Sequence, residues 1–228
     1  MTGVIDTAGI ELGHEAGFSV ALVDRAQIQV ALAWEFAAAQ DVDHHGLVQA
    51  DERRCAAQAV SLTASAMQDW ATWALLATRV PLPEVDANAR HGALPYWREL
   101  PTVARAVGRP HEFARSRADA GFLRELGAWH GALSYADPLA QAWLRGRLTR
   151  LGLIAGRQRE THALSAELAS AAMARACLLF DWAADVTGLP TPTRADADSS
   201  QSAARLTGND AAADLRVSVA GVGTGQPT

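Results

Sequence analysis

The side chains that could do chemistry in this chain are its histidines, arginines and carboxylates, and their spacing sets what that chemistry would be. Arg157 and His162 bracket Gln-Arg-Glu-Thr. An imidazole can move a proton near neutral pH, and a guanidinium can hold developing negative charge. An arginine followed by a histidine after four to six residues also occurs from Arg105 to His111 and from Arg124 to His130. With 20 arginines and 7 histidines in 228 residues, composition alone supplies about two such matches, so three carry no excess. Glu11-Leu-Gly-His14 has a Glu-x-x-His spacing that can turn two ligands toward one metal on a helix, but a carboxylate-bridged site needs a second such pair. The sequence has none, and Gly13 and Gly17 disfavour a helix there. His-x-His and His-Glu-x-x-His are absent, and Cys55 and Cys177 have no Cys-x-x-Cys partner. A four-cysteine zinc site is therefore excluded, and no metal site is expected. The two cysteines read as buried, reduced thiols of a cytoplasmic protein. All 20 basic residues are arginine. Schiff-base lysines, lysine general bases and the P-loop lysine are thereby ruled out.

The elements that must position these groups read as helices. Residues 20–40 carry Val23, Val30 and Trp34 on one face among good helix formers, after a Gly-rich stretch over 1–19 that reads as an irregular lead-in. Asp41-Val-Asp-His-His45-Gly46 breaks the pattern as a polar interhelical loop. A second long helix spans about 50–78, opened by Asp51 and Glu52 and buried along Leu62, Ala66, Trp70, Trp73 and Leu76. Pro81, Pro83 and Pro95 punctuate an irregular stretch holding Asn88, Arg90 and His91, which reads as a lid or a connector. A short helix over 97–107 is closed by Gly108 and Pro110, and another covers 112–133 with Phe122, Leu126 and Trp129 inward. Asp137-Pro138 is the clearest local signal: Asp caps free N–H groups, and Pro suits the first helical turn. The helix it opens runs through Trp143, Leu148 and Ile154, with Gly152 and Gly156 weakening its end. The last helix is expected over 157–186, with Arg157 and His162 opening it, and Gly188 and Pro190 ending it. The fold expected is an all-α bundle of about five or six helices over 20–190, followed by a disordered tail over 191–228 rich in Ala, Ser, Thr and Gly.

Three resemblances attach to these residues. Asp43-His44-His45-Gly46 is similar to the Asp-His-His motif of a phosphoesterase family, but that family sets it beside strands and none is expected here. Arg157…His162 resembles the Arg-x(4–6)-His pattern of HEPN ribonucleases. That resemblance implies a dimeric helical bundle cutting RNA without a metal, with His162 shuttling the 2′-hydroxyl proton and Arg157 stabilising the phosphorane. A broader stretch resembles the C-terminal helical domain of acyl-CoA dehydrogenases. It comprises Leu123-Arg-Glu-Leu126, Asp137-Pro138-Leu139 and Arg145-Gly-Arg-Leu-Thr-Arg-Leu151, with Glu15-Ala-Gly-Phe18 and Ala21-Leu22-Val-Asp24 near the start. The family's flavin-holding Arg-x-x-Phe-Gly and its catalytic Glu have no counterpart, and Gln27 stands where members carry an arginine. The resemblance thus implies a bundle that binds an acyl- or flavin-type ligand, or a partner chain, rather than a working dehydrogenase.

Composition bounds the rest. Hydrophobic residues make up 49% and charged residues 20%, enough apolar surface for a sizeable core. No apolar run reaches the ~18 residues of a membrane span, and the acidic start shows no secretory leader. A net charge of -5 argues against a broad nucleic-acid surface. Most of the seven tryptophans read as core, but Tyr96-Trp97-Arg98-Glu99 sits at a loop–helix junction, where ligand contacts concentrate. Arg115, Arg117 and Arg124 read as a positive ridge. The expected ligand-binding residues are Arg25, Trp97, Arg98 and Arg145; under the ribonuclease reading the catalytic pair is Arg157 and His162. The cofactor is unknown. The expected partner is a second copy or another protein chain, with a small acyl- or nucleotide-type ligand, and a non-catalytic dimeric interaction protein is the third reading.

Overall fold

Alanine- and glutamine-rich stretches free of proline favour long helices, because each residue loses little side-chain freedom on entering one. The computed structural model bears this out for residues 7–39, 47–84, 92–109 and 117–193, which it describes, with side chains from Phe18 in the first stretch and from Asp119 in the last. The fold is all-α: seven α-helices and a short 3-10 turn, with no strand among the described residues. They are α1 (Thr7–Ala39), α2 (Leu47–Ala77), α3 (Leu94–Trp97), α4 (Leu100–Ala106), α5 (Arg117–Ser134), α6 (Pro138–Arg150) and α7 (Ala166–Thr187).

Helix α1 starts at Thr7 instead of near residue 20. Gly9, Gly13 and Gly17 weaken a helix by up to ~1 kcal/mol each, but the backbone remains helical through them. Helices α1 and α2 pack extensively on each other and are joined by only the seven residues 40–46, so the two run antiparallel as a long hairpin. Their seam is lined by small residues, Ala26 and Ala33 on α1 and Ala56 and Ala59 on α2, which lets the backbones come close. Helix α2 is the axis of the bundle: α7, α5 and the α3–α4 pair all pack on it, while α6 lies outside, against α5.

At the centre, Trp70, Trp97 and Phe180 form an aromatic triangle joining α2, α3 and α7, with ring centroids 5.3, 5.8 and 5.9 Å apart. Each indole N–H is satisfied: Trp70 donates to the carbonyl of Pro190 and Trp97 to that of Met67, both at 2.9 Å. Trp34 reaches across to Ser170 at 2.7 Å and fastens α1 to α7.

The expected helix over 97–107 is α4, which starts only at Leu100, and α3 is a separate turn ending at Trp97. Pro101 falls in the first turn of α4. Deeper in a helix its ring would collide with the carbonyl four residues back, which is that of Trp97, so the chain breaks there. Helix α6 opens as expected, with Asp137 Oδ1 accepting from the N–H of Leu139 at 2.9 Å. It ends at Arg150 instead of near Ile154, because Gly152 takes a left-handed φ of 72°. Helix α7 begins at Ala166, capped by Ser165, and ends at left-handed Gly188. Past Gly188 the chain stays packed as far as Thr193, whose hydroxyl donates to Asp181 at 2.8 Å, so the body extends beyond the expected boundary at 190. The tail expected over 191–228 otherwise lies outside the described residues. No described helix is long and apolar enough to cross a membrane.

Candidate functional site

A helix packed on one side only leaves its second face to solvent, and in a soluble bundle that face is normally polar. Helix α6 departs from this. Leu144 and Leu148 are buried against α5, but Leu139 on the outer side is 63% exposed and Trp143 is 37% exposed. Those two outward residues form one wall of an open groove of about 440 Å³. Helix α5 supplies the floor with Gly127, Ala128 and Gly131, and the segment entering α3 supplies the other wall with Gly92, Leu94 and Pro95. Glycines four apart on α5 carry no side chain into the space, so the floor is flat. The volume falls within the ~300–1,000 Å³ usual for ligand pockets.

Three charged residues line the groove: Arg98 from the C-terminal end of α3, Arg124 from α5 and Asp137 from the turn between α5 and α6. Among the described residues neither Arg98 nor Arg124 meets a carboxylate. The guanidiniums of Arg145, Arg147 and Arg175 do, on Glu160, Glu125 and Asp119. Arg147 also lies 5.9 Å from the Trp143 ring centre, holding that indole at the mouth of the groove.

The expected ligand-binding residues are not all brought together. Arg98 lies in the groove. Trp97, one residue earlier, turns the other way into the aromatic triangle and is 2% exposed, with an edge on a smaller cavity of about 210 Å³ between α5 and α7. Arg145 points off α6 to a buried Glu160 at 3.6 Å. Arg25 lines the separate dent on the α1–α2 hairpin, with Gln29 and Gln58. Sequence reasoning missed Gly127, Gly131, Leu139 and Asp137 as lining residues. The signal that could have found them is the pair of glycines four apart in an otherwise helical stretch, beside a helix that keeps Leu139 and Trp143 exposed.

Arg157 and His162 do not open a helix. They lie exposed on the connector between α6 and α7, with His162 in the 3-10 turn Glu160–Ala163 and Glu160 buried between them. His130, from the second Arg–His match, is buried, with Nε2 3.2 Å from the Ser65 hydroxyl and its ring against Tyr135. The Asp43–Gly46 motif, the Asn88–His91 stretch, His111 and Arg115 lie outside the described residues, as does the side chain of Arg117. Glu11 and His14 are on helical backbone, against the expectation from their glycines, and their side chains are not among those described. No cluster of three metal-binding side chains occurs among the described residues. Cys55 and Cys177 are both free, and burial pushes each thiol above its ordinary range.

No protein-family model, curated protein or solved structure matches this chain.

Proposed function

We propose that the protein is a binding bundle whose α3–α5–α6 groove takes a small amphipathic ligand, an acyl-type chain carrying an anionic head. The observation that carries this reading is the joining of an apolar, glycine-floored groove with two guanidiniums that meet no carboxylate among the described residues. An apolar chain would cover Leu139, Trp143 and the α5 floor. A carboxylate or phosphate would meet Arg98 and Arg124, the residue type best shaped for either anion. The likeness of residues 123–151 to the acyl-CoA dehydrogenase helical domain supports the same ligand class, since that stretch builds α5 and α6, two of the groove's three sides. Two unpaired thiols fit a reducing compartment, and we place the protein in the cytoplasm.

Calorimetric titration with dodecanoate and with dodecyl phosphate tests the reading. Saturable binding to the full chain is expected. Replacing both arginines, R98Q with R124Q, is expected to weaken it at least tenfold, two charge-assisted contacts being removed. Gly127→Leu fills the floor with a good helix former, so it is expected to abolish binding without loss of thermal stability. Unchanged affinity in Gly127→Leu would place the ligand elsewhere and overturn the proposal.

A further inference from the structure

The groove is electrically asymmetric along its length, and that asymmetry defines its ligand more narrowly. Arg124 and Gly131 both line it from α5, seven residues apart, so their levels on the helix differ by ~10 Å. Asp137 is fixed at the Gly131 level, because its backbone N–H donates to the carbonyl of Gly131 at 3.0 Å. Arg124 therefore marks one end of the α5 floor and a carboxylate marks the other, with Gly127 and Ala128 between. The helix ends do not cancel this. The C-terminus of α5 and the N-terminus of α6 meet at the same turn, and their partial charges of about half a unit are opposite in sign. What remains there is the full negative charge of Asp137. Its Oδ1 is taken by the cap on Leu139, which leaves Oδ2 over among the described residues.

Resting on the groove reading above, we infer that the ligand class is a dipolar amphiphile: an apolar chain with an anion at one end and an ammonium, or another strong hydrogen-bond donor, at the other. The anion sits on Arg98 and Arg124. The chain lies along Gly127, Ala128 and Leu139. The cationic end sits on the free oxygen of Asp137.

The test compares dodecanoate with 12-aminododecanoate, which differ only in the terminal ammonium, by calorimetry on the full chain. A partly exposed ion pair is worth up to ~1 kcal/mol, so the amino compound is expected to bind up to about fivefold tighter. Asp137→Asn is expected to bring the two ligands to parity. It is the right variant because asparagine caps a helix as well as aspartate does, so α6 keeps its start. Dodecanoate binding as tightly as its amino analogue in the unmodified protein overturns this inference and leaves the groove reading standing. A preference that persists in Asp137→Asn overturns it too. Failure of both ligands to bind overturns the groove reading itself.

Discussion

Single residues in this protein do more than their type suggests. Trp97 sits at a loop–helix junction, where ligands are often held, yet it is core: its ring packs on Trp70 and Phe180 and its N–H is spent on Met67. Trp97→Ala is therefore expected to cost ~3–5 kcal/mol of folding stability, read as a lower midpoint in urea, before any effect on binding. Its neighbour Arg98 is exposed and points into the groove. One residue of helix turns a side chain by about 100°, and here that turn sends Trp97 into the core and Arg98 into the groove. That is why the motif was legible as a place in the sequence, while the choice between its members was not. Asp137-Pro138 was fully legible, because a cap and an N-terminal proline act within their own turn and need no tertiary information. Asp51 and Glu52 were legible as acidic but not in their use. Asp51 pairs with Arg54 at 3.0 Å, while Glu52 is 6% exposed and accepts the N–H of Ala166 at 2.9 Å, capping a different helix.

At the scale of elements, the existence of the long helices is legible in the sequence, but the starts of α1 and α7 are not. The boundary of α2 fell within three residues of its observed start, and its buried stripe includes Ala66, Trp70 and Trp73, although Leu76 faces solvent. The start of α7 was misplaced because residues 157–164 are mostly good helix formers with no glycine or proline. The segment forms the 3-10 turn Glu160–Ala163 instead, with Ile154, Glu160 and Leu164 buried. The usable signal was Ser165, which caps the N–H of Leu168 at 3.3 Å. The Ser165 hydroxyl, followed by the backbone N–H of Glu167, also holds the Glu167 carboxyl below the ordinary glutamate range. A carboxyl depressed in the folded state stabilises it above the unfolded value, and that contribution disappears as pH falls through the folded one. Glu167→Gln is thus expected to be slightly less stable than the unmodified protein at pH 7, with the difference in Tm closing at pH 3. Because Glu167 is exposed, the effect is small and shrinks with salt.

For the whole molecule, side-chain hydrogen bonds across long sequence separations join the elements around one buried apolar core. Trp34 to Ser170, Trp70 to Pro190 and Glu52 to Ala166 each tie the α1–α2 hairpin to α7 or the residue run after it. Fold class could be read from patterning alone, since no segment alternates with the period of a strand. The groove could not, because it depends on α6 lying outside the bundle with apolar residues on its free face. Removing the longest-range cap tests how the parts depend on one another. Glu52→Ala leaves a buried N–H without its acceptor and is expected to cost ~1–3 kcal/mol, with faster hydrogen exchange at Ala166 than elsewhere in α7. The same cap has a consequence during synthesis. Glu52 and Ala166 are separated by 114 positions. At about 5–20 residues per second, a nascent chain waits roughly 6–23 s between making the carboxylate and making the amide that it serves. Through that interval the hairpin carries a charge destined for the interior, so the half-made protein keeps a water-facing seam where the finished one has its core.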